Sequence, residues 1–180
     1  TGYRLDGTDT EPNMYVGIII NRSLADTTDS VTGLGDIHAL VNAIGEMRRV
    51  AREAGFIAIK VDDIAEVNAR FGFDAGDRVL AESAACLMDC SRGKGRLFRS
   101  TGPTFVALFD DLDPEETDAI AEEIERFLGS PVLIGSLEYQ PPIRVATLHL
   151  DGVDRQPVSI LNELKARLIE APQVPGTKLD

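Results

Sequence analysis

The sequence predicts an α+β domain, one mainly antiparallel sheet flanked by helices. Three observations lead there. Amphipathic helical spacing alternates with short apolar strands from residue 36 to residue 171. The strands gather around hairpin turns, Thr101–Gly102–Pro103 and Gly135–Ser136, rather than alternating singly with helices. The run Phe56–Val61 is almost continuously apolar, as a strand covered on both faces should be.

A chain of 180 residues suits one domain with a substantial core. Its composition, 43% hydrophobic and 27% charged, is that of an ordinary globular domain. The net charge of −12 argues against binding nucleic-acid backbones or anionic lipid, which need clustered Lys and Arg. It leaves room for a local basic pocket. No apolar run approaches membrane-span length, and Thr1–Asn13 is polar, unlike a secretory leader. We therefore expect a cytoplasmic fragment of a longer protein, since the chain does not begin with Met, and no direct membrane contact from it. Cys86 and Cys90 lie four apart on one helical face with no further Cys or His nearby, which reads as two reduced thiols rather than a metal site. His38 and His149 lack any ligand constellation.

Residues 1–28 read as a tail, a strand at Met14–Asn21 and a linker. That strand is either the end of an upstream sensor domain or an added edge strand. From Asp36, Ile37, Leu40, Val41, Ile44, Met47, Val50 and Ala51 recur at helical spacing, with Asp36 as N-cap and Gly55 as the stop. Phe56–Val61 follows as a strand. Asp62 or Asp63 should cap a short helix that ends at Gly72. Asp74–Ser91 is a longer helix with Val79, Leu80, Ala84, Leu87 and Met88 inward. Ser91–Arg96 is a basic glycine turn. Leu97–Ser100 and Thr104–Asp110 form a hairpin, and Pro114–Leu128 an amphipathic helix with an acidic first turn. A hairpin over Val132–Tyr139, a strand over Ile143–Leu150 and a helix over Pro157–Ala171 complete the order. Pro172–Asp180 reads as an irregular tail.

Three ordered motifs resemble one family. Asp29–Ile37 (DSVTGLGDI) is similar to the entry motif D-x-L-T-G-L-x-N-R of GGDEF domains, the diguanylate cyclase family. In Val61–Leu80, Asn68, Gly72, Gly76, Asp77 and Leu80 match I-D-x-F-K-x-I-N-D-x-x-G-H-x-x-G-D-x-x-L. Arg99–Phe105 (RSTGPTF) stands where the family has R-x-G-G-D/E-E-F. The resemblance implies a fold similar to nucleotide cyclases and polymerase palms over residues 29–178.

The resemblance also implies a chemistry, two GTP-loaded domains joined head to head with divalent cations activating the attacking hydroxyl. Mg²⁺ needs carboxylate oxygens. Where the family has its two metal carboxylates this chain has Lys60 and Pro103, and Thr104 replaces the acidic residue that follows. Ala65 stands in place of the family's phosphate-binding Lys, and Pro172 with the PQVPG stretch fills the region of its C-terminal Lys and Arg. Four contributions to transition-state charge are missing, so we expect negligible cyclase rate, no catalytic residue and no bound Mg²⁺.

What the resemblance leaves is the guanine end, Asn68 and Asp77. Either they read a guanine edge, or Asn68 caps the end of one helix and Asp77 the start of the next. Lys60 and Asp62 point to one side of the strand, either as an ion pair filling the metal position or with the ammonium holding a phosphate. Arg92 matches the Arg of the family's R-x-x-D product site, but Gly95 replaces the Asp. The sequence thus points to an inactive GGDEF-type module that regulates or interacts within a cyclic-di-GMP signalling protein. The alternatives are a receptor for GTP or cyclic di-GMP and a residual cyclase. Expected partners are a guanine nucleotide, other domains of the polypeptide and a second copy of the chain.

Overall fold

The computed structural model describes residues 27–50, 53–91, 93–128, 130–152 and 155–179. The strand expected at Met14–Asn21 lies outside them, as does Arg92. The described chain opens with a turn built on Asp29, whose Oδ1 accepts from Thr32 N at 2.9 Å and Thr32 Oγ1 at 2.7 Å. Helix α1 (Ile37–Val50) is capped as expected: Asp36 Oδ1 accepts from His38 N at 2.8 Å and Ala39 N at 3.0 Å.

The strand that follows starts earlier than its apolar run suggests. β1 spans Glu53–Val61, so Gly55 is not the stop of a helix reaching Ala54 but an interior strand residue. Thr117 lies so close that a Cβ at Gly55 would collide with its hydroxyl. The glycine is there for packing, not for a turn.

Helix α2 (Ile64–Phe71) is entered without a side-chain cap: Asp63 adopts a left-handed φ of 62° and makes no capping bond. Gly72, at φ 88°, ends it as expected, its N–H donating to Asn68 O at 3.0 Å. In α3 (Phe73–Ser91), Val79, Leu80, Ala84 and Leu87 are buried, but Met88 is exposed. β2 (Arg96–Arg99) and β3 (Thr104–Asp110) form the hairpin. α4 (Pro114–Leu128) begins with Asp113 Oδ1 accepting from Glu116 N at 2.8 Å. β4 (Val132–Ile134) and β5 (Leu137–Tyr139) make a separate two-stranded ribbon around Gly135–Ser136. β6 (Ile143–Asp151) and α5 (Pro157–Glu170) follow. The tail after Pro172 is not wholly irregular, because Gln173–Val174 form β7 against Ile143 and Arg144 of β6.

The main sheet has the order β2-β3-β1-β6-β7, with antiparallel neighbours throughout. Alternation along β1 divides the core in two. Ile57, Ile59 and Val61 pack with Val67, Val79, Leu87 and Ile124 from α2, α3 and α4. Phe56 and Ala58 pack with Leu40, Ile44, Met47, Ile160 and Leu164 from α1 and α5. β1 is thus covered on both faces, as its nearly continuous apolar run predicts.

Candidate functional site

The site forms where β1 ends. Lys60 is the penultimate residue of β1, in register with Thr104 on one neighbour and Arg144 on the other. Val61 N donates to Pro103 O at 3.0 Å, which draws the β2–β3 turn over the strand end. Asp62 N donates to Pro142 O at 2.8 Å, and the left-handed Asp63 then swings the chain into α2. The resulting pocket, about 570 Å³, is walled by Lys60, Asp62, Asp63, Glu66, Asn68 and Pro103 among others. That volume lies within the range of small-ligand sites.

Asp62 is the hub. It is 8% exposed, yet both carboxylate oxygens are engaged. Lys60 Nζ sits 2.8 Å from Oδ1. Arg144 Nε donates to Oδ2 at 3.0 Å and Gln173 Nε2 donates to the same oxygen at 2.8 Å. Burial pushes this carboxyl up, but hydrogen bonds from Lys60, Gln173 and Arg144 outweigh it and hold the group below the ordinary carboxylate value. The Lys60–Asp62 pair expected from strand alternation is present. Arg144 and Gln173 were not legible as site residues. Arg144 is the one Arg or Lys in β6, a weak signal beside Thr147, His149 and Asp151, and Gln173 arrives from a segment read as a tail.

The signature turn is fixed from outside the pocket. Arg99 Nε donates to Gly102 O at 2.8 Å, while its Nη1 reaches both Asp29 oxygens at 3.0 and 3.2 Å. Ser100 N donates to Thr104 O and Thr104 N to Thr101 O, at 2.8 and 3.0 Å. Gly102 takes φ +54°, a value that favours glycine. Burial raises the Asp29 carboxyl, but hydrogen bonds from Thr32 and Arg99 bring it below its ordinary value.

Asn68 joins Lys60 in the pocket wall. Its Oδ1 is buried without a hydrogen-bond partner, and its amide packs against Gly76, where a Cβ would collide with it. An orphaned buried acceptor is uncommon and calls for an explanation. Asp77, the residue after Gly76, is exposed on α3 and does not line the pocket. Neither side chain serves as the cap that a purely structural reading gave it. α2 ends through the backbone carbonyl of Asn68, and Asp77 lies past the first turn of α3. Tyr139 OH is a second buried polar atom without a partner. Burial, followed by the nearby Asp63 and Glu66 carboxylates, pushes its hydroxyl up to about 12.

Among the described residues, no group of three or more His, Cys, Asp or Glu is placed to hold a metal ion. His149 Nε2 contacts Leu112 O at 3.1 Å. Among the same residues, no helix is long and apolar enough to cross a membrane.

The model of the family described as "Diguanylate cyclase, GGDEF domain" matches residues 26–138. The chain belongs to the GGDEF family. It is 29% identical over 113 residues to the cyclic di-GMP phosphodiesterase PdeR of Escherichia coli, covering 62% of this chain and 17% of that protein. It is 29% identical over 84 residues to the diguanylate cyclase DgcS of Shewanella oneidensis, covering 44% and 28% respectively. The chain thus spans only a small part of either relative. Among solved structures, the FimX GGDEF domain of Pseudomonas aeruginosa superposes with a TM-score of 0.76 at 17% identity, over 82% of this chain and 94% of that one. The diguanylate cyclase SiaD of the same organism, in complex with its activator SiaC, gives 0.75 at 21%, over 81% and 58%. The DgcB GGDEF domain of Caulobacter crescentus, in complex with c-di-GMP, gives 0.73 at 16%, over 92% of each. These likenesses establish the GGDEF fold, α+β with an antiparallel palm-type sheet; the family match and the two relatives set the chain among the GGDEF domains of cyclic-di-GMP signalling proteins.

Proposed function

We propose that this GGDEF domain is catalytically inactive and acts as a regulatory or interaction module within a cyclic-di-GMP signalling protein. One observation carries the reading. At the strand end where the family's cation chemistry is centred, the Lys60 ammonium lies 2.8 Å from Asp62, and Arg144 and Gln173 take the other carboxylate oxygen. These residues do not fit a divalent cation. Its oxygen ligands are replaced by Lys60 and Pro103, and the surviving carboxylate is already neutralised. Placing Mg²⁺ there would set two positive charges beside the ammonium. Each lost electrostatic contribution is typically worth about 3 kcal/mol of barrier, so several together leave a negligible rate.

The test is incubation of concentrated protein with GTP and Mg²⁺, followed by nucleotide chromatography. We expect no cyclic di-GMP. Product that disappears in an Asp77→Ala variant would overturn the reading and restore that of a residual cyclase.

A second reading, a receptor for a guanine nucleotide, draws on Asn68, which lines a pocket of about 570 Å³ and whose buried Oδ1, against Gly76, has no hydrogen-bond partner. An Asn amide can pair with a base edge; Asp77, the other residue that the resemblance assigns to the base, stands exposed on the adjoining helix outside the pocket wall. Calorimetric titration with GTP, GDP and cyclic di-GMP separates this reading from the first. A module that binds none of them works through protein contacts, with other domains of its polypeptide, a second copy or an activator, as SiaD does with SiaC. A cytoplasmic setting accords with either reading.

A further inference from the structure

α2 and the corner that leads into α3 present apolar side chains to solvent. Phe71 is 43% and Phe73 78% exposed, on either side of Gly72. Ala65 and Ala69 lie one turn apart and exposed on α2, a helix in which Val67 is the buried residue. The corner is fixed by its own backbone. Gly72 N donates to Asn68 O at 3.0 Å and Ala75 N to Gly72 O at 3.1 Å, so the segment that carries both phenylalanines is set before anything binds. Ala65 also shares a cavity wall with Pro103.

The motifs that the chain resembles have Lys, Asp and His where it has Ala65, Ala69 and Phe73, and an acidic residue where it has Pro103. Loss of catalysis alone would accept any solvated residue at these positions. Apolar replacements clustered around one short helix point instead to a surface that something covers. The charges around it say what kind of partner fits. Between residues 63 and 78, Glu66 is paired with Arg70 at 3.0 Å, which leaves Asp63, Asp74 and Asp77 exposed against Arg78. Lys60, in the cavity wall, is held by Asp62 at 2.8 Å. With the whole chain at −12, a second copy would bring like charge against like charge, whereas a cationic partner is attracted.

We propose that this surface, Ala65, Ala69, Phe71 and Phe73, is a docking site for a basic amphipathic helix of a partner protein. The apolar stripe of that helix lies along Ala65 and Ala69, whose small side chains let two helix axes approach closely, and ends on the two phenylalanines. Aromatic anchors of this kind carry most of the energy of an interface, and a corner already ordered lowers the entropy lost on binding. Lys and Arg flanking the stripe meet Asp63, Asp74 and Asp77, which steers the encounter and selects the partner. The inference rests on reading the domain as an interaction module. The two are tested apart: the Mg²⁺–GTP assay judges the loss of catalysis and involves no helix, and the binding experiment needs no nucleotide.

The probe is a synthetic helical peptide of Leu, Ala and Arg, with Leu at i, i+3, i+4 and i+7 spacing and Arg on the flanks, titrated into the whole chain by calorimetry and mapped by amide chemical shifts. One control peptide has the same residues in scrambled order, and another has Glu in place of Arg. We expect the Arg peptide to bind about tenfold or more tighter than either control, with the shifts gathered at residues 64–74. Phe73→Ser, a change at a largely exposed side chain, should weaken binding about tenfold or more. Ala69→Lys, which sets a long cation on the apolar face, should do the same, and it serves if Phe73→Ser folds poorly. Four results would each overturn the proposal: no binding of the Arg peptide, equal binding of a control, unchanged affinity in either folded variant, or self-association of the chain that Phe73→Ser abolishes, which would give the surface to a second copy.

Discussion

Arg99 and Asp29 meet across 70 positions of sequence, with Nη1 3.0 Å from Oδ1, and the same guanidinium holds the carbonyl of Gly102. One side chain thereby ties the entry turn to the signature turn. The pair is largely shielded, with side chains 15% and 22% exposed, so it is worth more than a surface ion pair. Arg99→Ala should cost about 1–3 kcal/mol of stability, read as a lower urea midpoint at unchanged slope. Asp29→Asn should cost less, because the amide oxygen still accepts from Thr32.

Acid should weaken the fold through two carboxylates. Asp29 and Asp62 both titrate below their ordinary 3.8 in the folded chain. The unfolded state therefore binds more protons over that interval. Their stabilisation is present in full well above 3.8 and is lost as pH falls through the lower folded values. Urea midpoints measured from pH 6 down to pH 3 should fall, and the fall should flatten in Asp29→Asn and Asp62→Asn.

Asp62→Ala should be more harmful than Lys60→Ala. Removing Asp62 leaves Lys60 and Arg144 facing each other without a counter-charge, whereas removing Lys60 leaves Asp62 with two donors. We expect about 2–4 kcal/mol for the first change and under about 1 kcal/mol for the second by equilibrium denaturation. Equal losses would mean that the cluster does not centre on the carboxylate.

Gly76→Ala forces a methyl onto the Asn68 amide. Overpacking of this kind costs about 1–3 kcal/mol. Asn68→Ala should make room for it, so the double variant should be more stable than Gly76→Ala alone. A double-mutant cycle gives that coupling directly, and additivity would show that the two residues do not touch in solution.

Cys86 should be inert. Burial, reinforced by neighbouring Cys90, pushes its thiol up to about 12, so at pH 8 the thiolate fraction is on the order of one in ten thousand. Labelling by a disulfide reagent should be slow in the native chain and fast in denaturant.

Much of the fold was legible because its signals are local. The β1 run, the Asp36 cap, the Gly72 stop and the Gly135–Ser136 turn each declare themselves within a few residues. Gly55 misled because the reason for it, Thr117, lies 62 positions further on. Met88 misled because helical period alone does not say how wide the buried face is. At the site, the replacements at Lys60 and Pro103 were readable, as was the Lys60–Asp62 pair. The roles of Arg144 and Gln173 were not, because strand register and a returning tail decide them.

The two ends of the described chain flank the sheet on opposite sides. Gly35 bridges Phe98 beside β2, and Gln173–Val174 lie beside β6 at the far edge. Along the sheet, the ladder between the Asp29 turn and the C-terminal segment runs through β2, β3, β1 and β6 in turn. Lys60 stands on β1, the middle strand. Whatever sits on that residue stands at the middle of the strand ladder that joins the two edges of this sheet.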